Sequence, residues 1–291
     1  MRPALPILCL ISAALAGCHA DLLNPAGPIA SAERTILLDS VAIMLLIVIP
    51  TMAATLVFAW RFRQSNTRAD YWPEWQYSGR IELIVWSIPV LVILFLGGIT
   101  WLSSHQLDPA QPIRSSRQPL EIQAVSLDWK WLFIYPQQRV AAVNQLVVPQ
   151  GTPLHLNVTS ASVFNVFFVP RLGSEIYAMH GMVTELNLRA DETGSFPGLS
   201  ANFSGDGFAD MAFEARSVAP DRFDAWISSA RGGRHSLDEA EYGRLLNQSR
   251  VAEPYTYGTV RDGLFSDIAM DRLGLGRGPQ TGRGGPPATP R

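Results

Sequence analysis

Two long apolar stretches, Ile36 to Trp60 and Ile81 to Trp101, constrain this chain more than any other feature. Each exceeds the roughly 20 residues a helix needs to cross a hydrocarbon core. Asp39, near the start of the first, and Glu82, at the start of the second, are their only acids. A spanning segment must satisfy its own backbone polar groups, so both are expected to be membrane helices. Pro50 and Pro89 each remove a backbone donor inside a span, which membrane helices tolerate when neighbours or local adjustments satisfy the freed carbonyl. They mark expected kinks and suggest packing on other helices. The loop between the spans holds Arg61, Arg63, Arg68 and Arg80 against Asp70 and Glu74, a net charge of +2. Lys/Arg enrichment marks the cytoplasmic side, so Cys18 and everything after Trp101 are expected outside. Trp60 and Trp101, with Tyr71, Trp72, Trp75 and Tyr77, suit the aromatic belts of a membrane interface.

The N-terminus has the layout of a secretory signal: Arg2, an apolar run from Ala4 to Ala16, then Leu15-Ala16-Gly17-Cys18. Cysteine directly after Leu-Ala-Gly resembles the bacterial lipoprotein box, so cleavage is expected to leave Cys18 as the lipid-bearing first residue. The alternative is an ordinary signal with an incidental cysteine. Cys9 leaves with the signal, and no disulfide is then possible in the mature chain. The resulting division is 1–17 signal peptide, 18–35 outer N-terminal segment, 36–60 first span, 61–80 cytoplasmic loop, 81–102 second span and 103–119 linker. A formal net charge of −2 argues against a nucleic-acid binder. No P-loop, dinucleotide fingerprint or metalloprotease helix is present.

After the linker the period changes to two. Leu154, Leu156 and Val158 alternate with His155, Asn157 and Thr159, and Met211, Phe213 and Ala215 alternate with Ala212, Glu214 and Arg216. Such alternation, with turns at Gln150-Gly151-Thr152-Pro153, Ala190 to Gly194 and Ser204-Gly205-Asp206-Gly207, reads as short strands. The expected architecture over 120–219 is a small antiparallel sandwich or barrel. Beyond Pro220 two short helices are expected, from Asp221 and from Ser236, the latter with a serine cap and acids in its first turn. They complete a helical segment at 220–272. The tail at 273–291 is too rich in Gly and Pro to build a core and is expected to be disordered.

Taken together, these residues resemble subunit II of the haem–copper respiratory oxidases, over nearly the whole chain from Cys18 to about Met270. The resemblance implies two transmembrane helices followed by an all-β, cupredoxin-like Greek-key domain with short C-terminal helices. Cytochrome c oxidases of that family carry a His in Ser-Ala-Asp-Val-x-His-x-Phe and a second cluster, Cys-x-Glu-x-Cys-x-x-x-His-x-x-Met, which hold a dinuclear copper centre. Here the matching segments read Ser160-Ala161-Ser162-Val163-Phe164-Asn165-Val166-Phe167 and Ser200 to Met211. Asn165, Ser200, Asn202, Ser204 and Phe208 stand at the ligand positions, and only Met211 is retained. A lone thioether is a weak ligand, serine hydroxyls bind copper poorly and Phe208 has no lone pair, so no metal or cofactor is expected in this chain. Met211 reads as core filler, Trp129 and Trp131 as packing anchors, and His155 and His180 as solvated or structurally bonded imidazoles.

Ser126-Leu127-Asp128-Trp129-Lys130-Trp131 and Pro170-Arg171-Leu172-Gly173-Ser174-Glu175 resemble the bo-type ubiquinol oxidases in particular. That resemblance implies a subunit II without its own redox centre in a proton-pumping ubiquinol oxidase of the bacterial inner membrane. Subunit I would hold the haems and copper and oxidise ubiquinol; further subunits and membrane lipids are the other partners. It also places Glu82 at the cytoplasmic mouth of a proton channel, where a carboxylate could relay protons. The alternative is an acid stabilised by the helix dipole. Two other readings are a cytochrome c oxidase subunit II, which needs thiolates this domain lacks, and a stand-alone lipoprotein that binds a periplasmic partner.

Overall fold

The computed structural model describes residues 21–70, 72–251 and 253–273. The signal segment, Cys18 and the tail beyond Leu273 lie outside the described residues. The described residues divide into a helical unit, 32–108, and a β-rich unit that contains 21–31 and the described residues from 109 to 273.

Helix α1 (Pro28–Arg61) and helix α2 (Gly79–Gln106) each contain one of the apolar stretches. α1 starts ahead of its apolar stretch because Pro28 suits a first helical position, where the missing N–H would be unpaired anyway. Apart from Ala30, neither helix buries a residue. Below Pro50, the hydroxyls of Thr51 and Thr55 donate to the carbonyls of Ile47 and Thr51 at 2.8 Å, keeping these polar groups satisfied within the helix.

In the β unit, ten strands follow the linker: β1 (Leu120–Leu127), β2 (Lys130–Tyr135), β3 (Val140–Val143), β4 (Gln145–Pro149), β5 (Leu154–Ser160), β6 (Asn165–Phe168), β7 (Glu175–Ala178), β8 (Thr184–Leu188), β9 (Gly194–Ser200) and β10 (Ala212–Val218). The C-terminal segment adds α3 (Pro220–Arg231), β11 (Ser236–Leu237), α4 (Glu239–Leu245), β12 (Tyr255–Tyr257), β13 (Thr259–Val260) and α5 (Leu264–Ala269). One sheet runs β12-β3-β2-β1-β5-β8 and the other β4-β10-β9-β6-β7. The sheets are mixed rather than purely antiparallel, since β1 pairs with β5, and β10 with β4, in parallel. Alternation along a strand fixes which face is buried but not the direction of its neighbour.

Between the sheets lies an aromatic core. Trp131, Phe133, Phe167 and Phe213 pack with ring centroids 5.1–6.4 Å apart, and Tyr135 continues the row toward Phe223 and Trp226. Every residue of β2 is buried. Its outward residues Leu132 and Ile134 are covered by Leu237, Tyr242, Leu245, Tyr257, Leu264, Phe265 and Ile268 of the C-terminal segment. The larger sheet is thus buried on both faces at β2 and β3, which accounts for the unbroken apolar run of β2.

The helix expected from Ser236 begins later. Ser236 and Leu237 pair with Thr259 and Val260, and Asp238 is the cap, its carboxylate accepting from the Glu241 N–H at 2.8 Å. At the other end of the chain, residues 24–30 are stitched to the β unit. The Ala26 N–H donates to Arg171 at 2.7 Å, the Ala26 carbonyl accepts from Asp191 at 2.8 Å, and the Ala30 N–H donates to Leu172 at 3.2 Å. Gly27 lies so close that a Cβ there would sit 2.1 Å from the Arg189 carbonyl oxygen. Only glycine permits this approach.

Candidate functional site

The positions read as vacated metal ligands converge at one end of the β unit. Asn165 starts β6, Ser200 ends β9, and Ser204, Phe208 and Met211 follow on the loop to β10. Asn165 is buried, and its Nδ2 donates to the Met211 sulfur at 3.1 Å, while its Oδ1 accepts from the Val166 N–H at 3.0 Å. The Ser204 hydroxyl reaches the same sulfur at 3.9 Å. The Ser200 hydroxyl is buried without a hydrogen-bond partner among the described residues. Asn202 turns away to the Phe164 carbonyl at 3.2 Å, and the Phe208 ring packs edge-on against Phe203. Three of the six positions therefore meet, around the thioether.

The turn from β1 to β2 closes this end. Trp129 adopts φ 67°, sits 1% exposed and donates its indole N–H to the Ser204 carbonyl at 3.1 Å. Its ring fills the space beside Gly207, where a Cβ would meet it at 2.1 Å. On either side of Trp129 stand two charged residues that are themselves buried. Asp128 accepts from the Ser162 hydroxyl and from Gln248 Nε2, the latter at 3.1 Å. Lys130 is wholly buried and donates to the Asn247 carbonyl at 2.8 Å and the Ser249 hydroxyl at 2.6 Å. Burial lowers its pKa from 10.5 to about 8, and the neighbouring Asp128 carboxylate partly offsets that. The segment Asp128-Trp129-Lys130 thus ties together the 162 loop, the 204 loop and residues 247–249.

The family model for the periplasmic domain of cytochrome c oxidase subunit II matches residues 120–218. Ubiquinol oxidase subunit 2 of Acetobacter aceti is 47% identical over 256 residues, covering 87% of this chain and 83% of that protein. The chain belongs to the ubiquinol oxidase subunit 2 family. Within the family, cytochrome bo(3) ubiquinol oxidase subunit 2 of Pseudomonas aeruginosa is 46% identical over 254 residues, covering 87% of this chain and 77% of that protein. Among solved structures, the periplasmic domain of subunit II of cytochrome oxidase of Bradyrhizobium japonicum matches 42% of this chain and 98% of its own, at 25% identity and a TM-score of 0.39.

A dinuclear copper centre does not fit the side chains of this subunit 2. The donors at the converged positions are an amide, a hydroxyl and a thioether, and Ser200 adds only a second hydroxyl, so no thiolate or imidazole is there to stabilise a soft metal. The thioether already accepts hydrogen bonds from Asn165 and Ser204. Among the described residues, no group of three or more His, Cys, Asp and Glu is placed to hold a metal ion. His155 bonds Asn187 Oδ1 at 3.1 Å, and His180 contacts the Ser160 carbonyl at 3.3 Å and the Asp271 carboxylate at 3.6 Å, so each imidazole has a structural partner. Glu82 lies in the helical unit, exposed in the first turn of α2, with its N–H donating to Ser78 at 2.9 Å. The buried polar clamp of Asp128 and Lys130 is the feature that sequence reasoning missed. A lysine inside the run Leu127 to Tyr135 was its signal, but its partners lie more than 100 residues further along the chain.

Proposed function

We propose that this chain is subunit II of a proton-pumping ubiquinol oxidase of the bacterial inner membrane, and that it supplies shape and assembly rather than an electron relay. The observation that carries this reading is the donor set at the converged positions: amide, hydroxyl and thioether in place of thiolate and imidazole. Without a metal relay on the outer side, electrons must reach membrane-embedded centres from a donor that itself dissolves in the bilayer, and a quinol does so. The named relatives support ubiquinol as that donor. The haems and the copper are assigned to a partner subunit I. The unburied faces of α1 and α2 are consistent with helices that complete their packing on such a partner. Cys18 is assigned as the lipidated first residue of the mature chain, and Glu82 as a proton-collecting carboxylate at the cytoplasmic end of α2.

Purification of the tagged chain from mild-detergent membranes tests the assembly. A haem-bearing, multi-subunit preparation is expected; a haem-free one would favour the stand-alone lipoprotein. Glu82→Gln is expected to slow turnover and proton uptake together in the assembled enzyme, and unchanged values would remove Glu82 from the pathway. Cys18→Ser is expected to abolish incorporation of labelled fatty acid.

A further inference from the structure

The loop that joins α1 to α2 exposes aromatic rings and unpaired positive charge together. Trp72, Trp75 and Tyr77 are 73%, 58% and 73% exposed, and with Pro73, Glu74 and Gln76 they line an open hollow of about 760 Å³. At the end of α1, Trp60 and Phe62 are also exposed. Rings with one apolar body and one polar edge are stable at the boundary between hydrocarbon and water, and both ends of this loop enter helices apolar enough to span a membrane. Arg61, Arg63, Arg68 and Arg80 are all exposed. None forms an ion pair among the described residues, although Asp70 and Glu74 lie in the same loop. Arg63 donates to the Trp60 carbonyl at 2.8 Å and lies 5.2 Å over the Trp60 ring, which holds a cation beside an interfacial aromatic.

We propose that this loop binds anionic phospholipid of the cytoplasmic leaflet, with the rings in the headgroup layer and the arginine forks on lipid phosphates. The proposal rests on the reading that both helices cross the membrane with the loop inside. Charge complementarity selects the occupant: a loop of net charge +2, with four exposed guanidinium groups that form no ion pair among the described residues, faces a leaflet of negative potential. Guanidinium also matches phosphate oxygens in paired, planar geometry. Each arginine near such a surface is worth about a fivefold change in affinity.

The experiment uses the assembled complex purified in detergent. Retention of phosphatidylglycerol against phosphatidylethanolamine is measured by native mass spectrometry for the wild type and for the Arg63→Gln/Arg68→Gln double variant. The wild type is expected to prefer phosphatidylglycerol, and the variant to lose on the order of twentyfold of that preference, while haem content shows that assembly is intact. An unchanged preference would overturn the proposal. A photo-crosslinking amino acid at position 75, used in native membranes, gives a second readout. Capture of lipid supports the proposal, and capture of another subunit alone overturns it. Labelling of Ser65→Cys by an impermeant thiol reagent in intact cells reports topology separately. Labelling from outside would sink the orientation, and with it the choice of leaflet, without altering the measured lipid preference.

Discussion

Lys130 offers a quantitative test of the clamp that closes the loop end of the β unit. Its ammonium is wholly buried, and burial lowers its pKa to about 8, against 10.5 for the exposed side chain. Below pH 8 both the folded and unfolded chains carry the proton, and the cost of burying the charge is present in full. Between pH 8 and 10.5 the unfolded chain binds the proton that the folded chain has released, so stability rises with pH across that window. Above it both forms are neutral and the gain levels off. At 1.4 kcal/mol for each tenfold, the rise is at most about 3 kcal/mol. Tyr135 and Tyr242 act in the opposite direction above pH 10, because burial holds both phenols protonated while the unfolded chain ionises. That loss is common to the wild type and Lys130→Met and cancels in their difference. Thermal and denaturant unfolding of the purified full chain, followed by tryptophan fluorescence at several pH values, gives the difference directly. The stability of the wild type relative to Lys130→Met should climb by up to about 3 kcal/mol between pH 8 and 10.5. A difference that stays flat across that window would refute the desolvated cation.

Other substitutions test the packing. Gly207→Ala forces a Cβ to within 2.1 Å of the Trp129 ring, which is pinned by its bond to Ser204, so a loss of about 1–3 kcal/mol is expected from overpacking; an unchanged melting temperature would contradict the contact. Phe213→Ala removes a ring 5.1 Å from both Phe133 and Phe167 and should cost about 3–5 kcal/mol in denaturant unfolding. A cost below about 1 kcal/mol would mean that the aromatic row is not the centre of the core.

Much of this architecture is legible in the chain because side-chain period reports burial. Leu154, Leu156, Val158, Met211, Phe213 and Ala215 all face the core, as their alternation implies. What alternation does not contain is the neighbour. The parallel pairing of β1 with β5, and the covering of β2 by residues of the C-terminal segment, depend on chain segments that are remote in sequence. Local signals also competed. Ser236 resembles a helix cap, but strand pairing with Thr259 takes it, and Asp238 caps instead. Helix α5 spans six residues after a left-handed Gly263, too short for a helical period to register. At the loop end, the absence of thiolate and imidazole was readable residue by residue. That Asn165 and Ser204 would both turn to the Met211 sulfur, and that Asp128 and Lys130 would clamp the surrounding loops, required the fold.

The central claim is that this subunit carries no electrons and that its enzyme is fed from the bilayer. The most direct measurement is oxygen uptake by the complex purified through this chain, with a reduced ubiquinone analogue and with reduced cytochrome c as alternative donors. Rapid uptake with the quinol and none with cytochrome c is the predicted result. Uptake driven directly by cytochrome c would contradict the account, because it would require an electron-accepting centre on the outer side that the side chains at Asn165, Ser200, Ser204 and Met211 cannot hold.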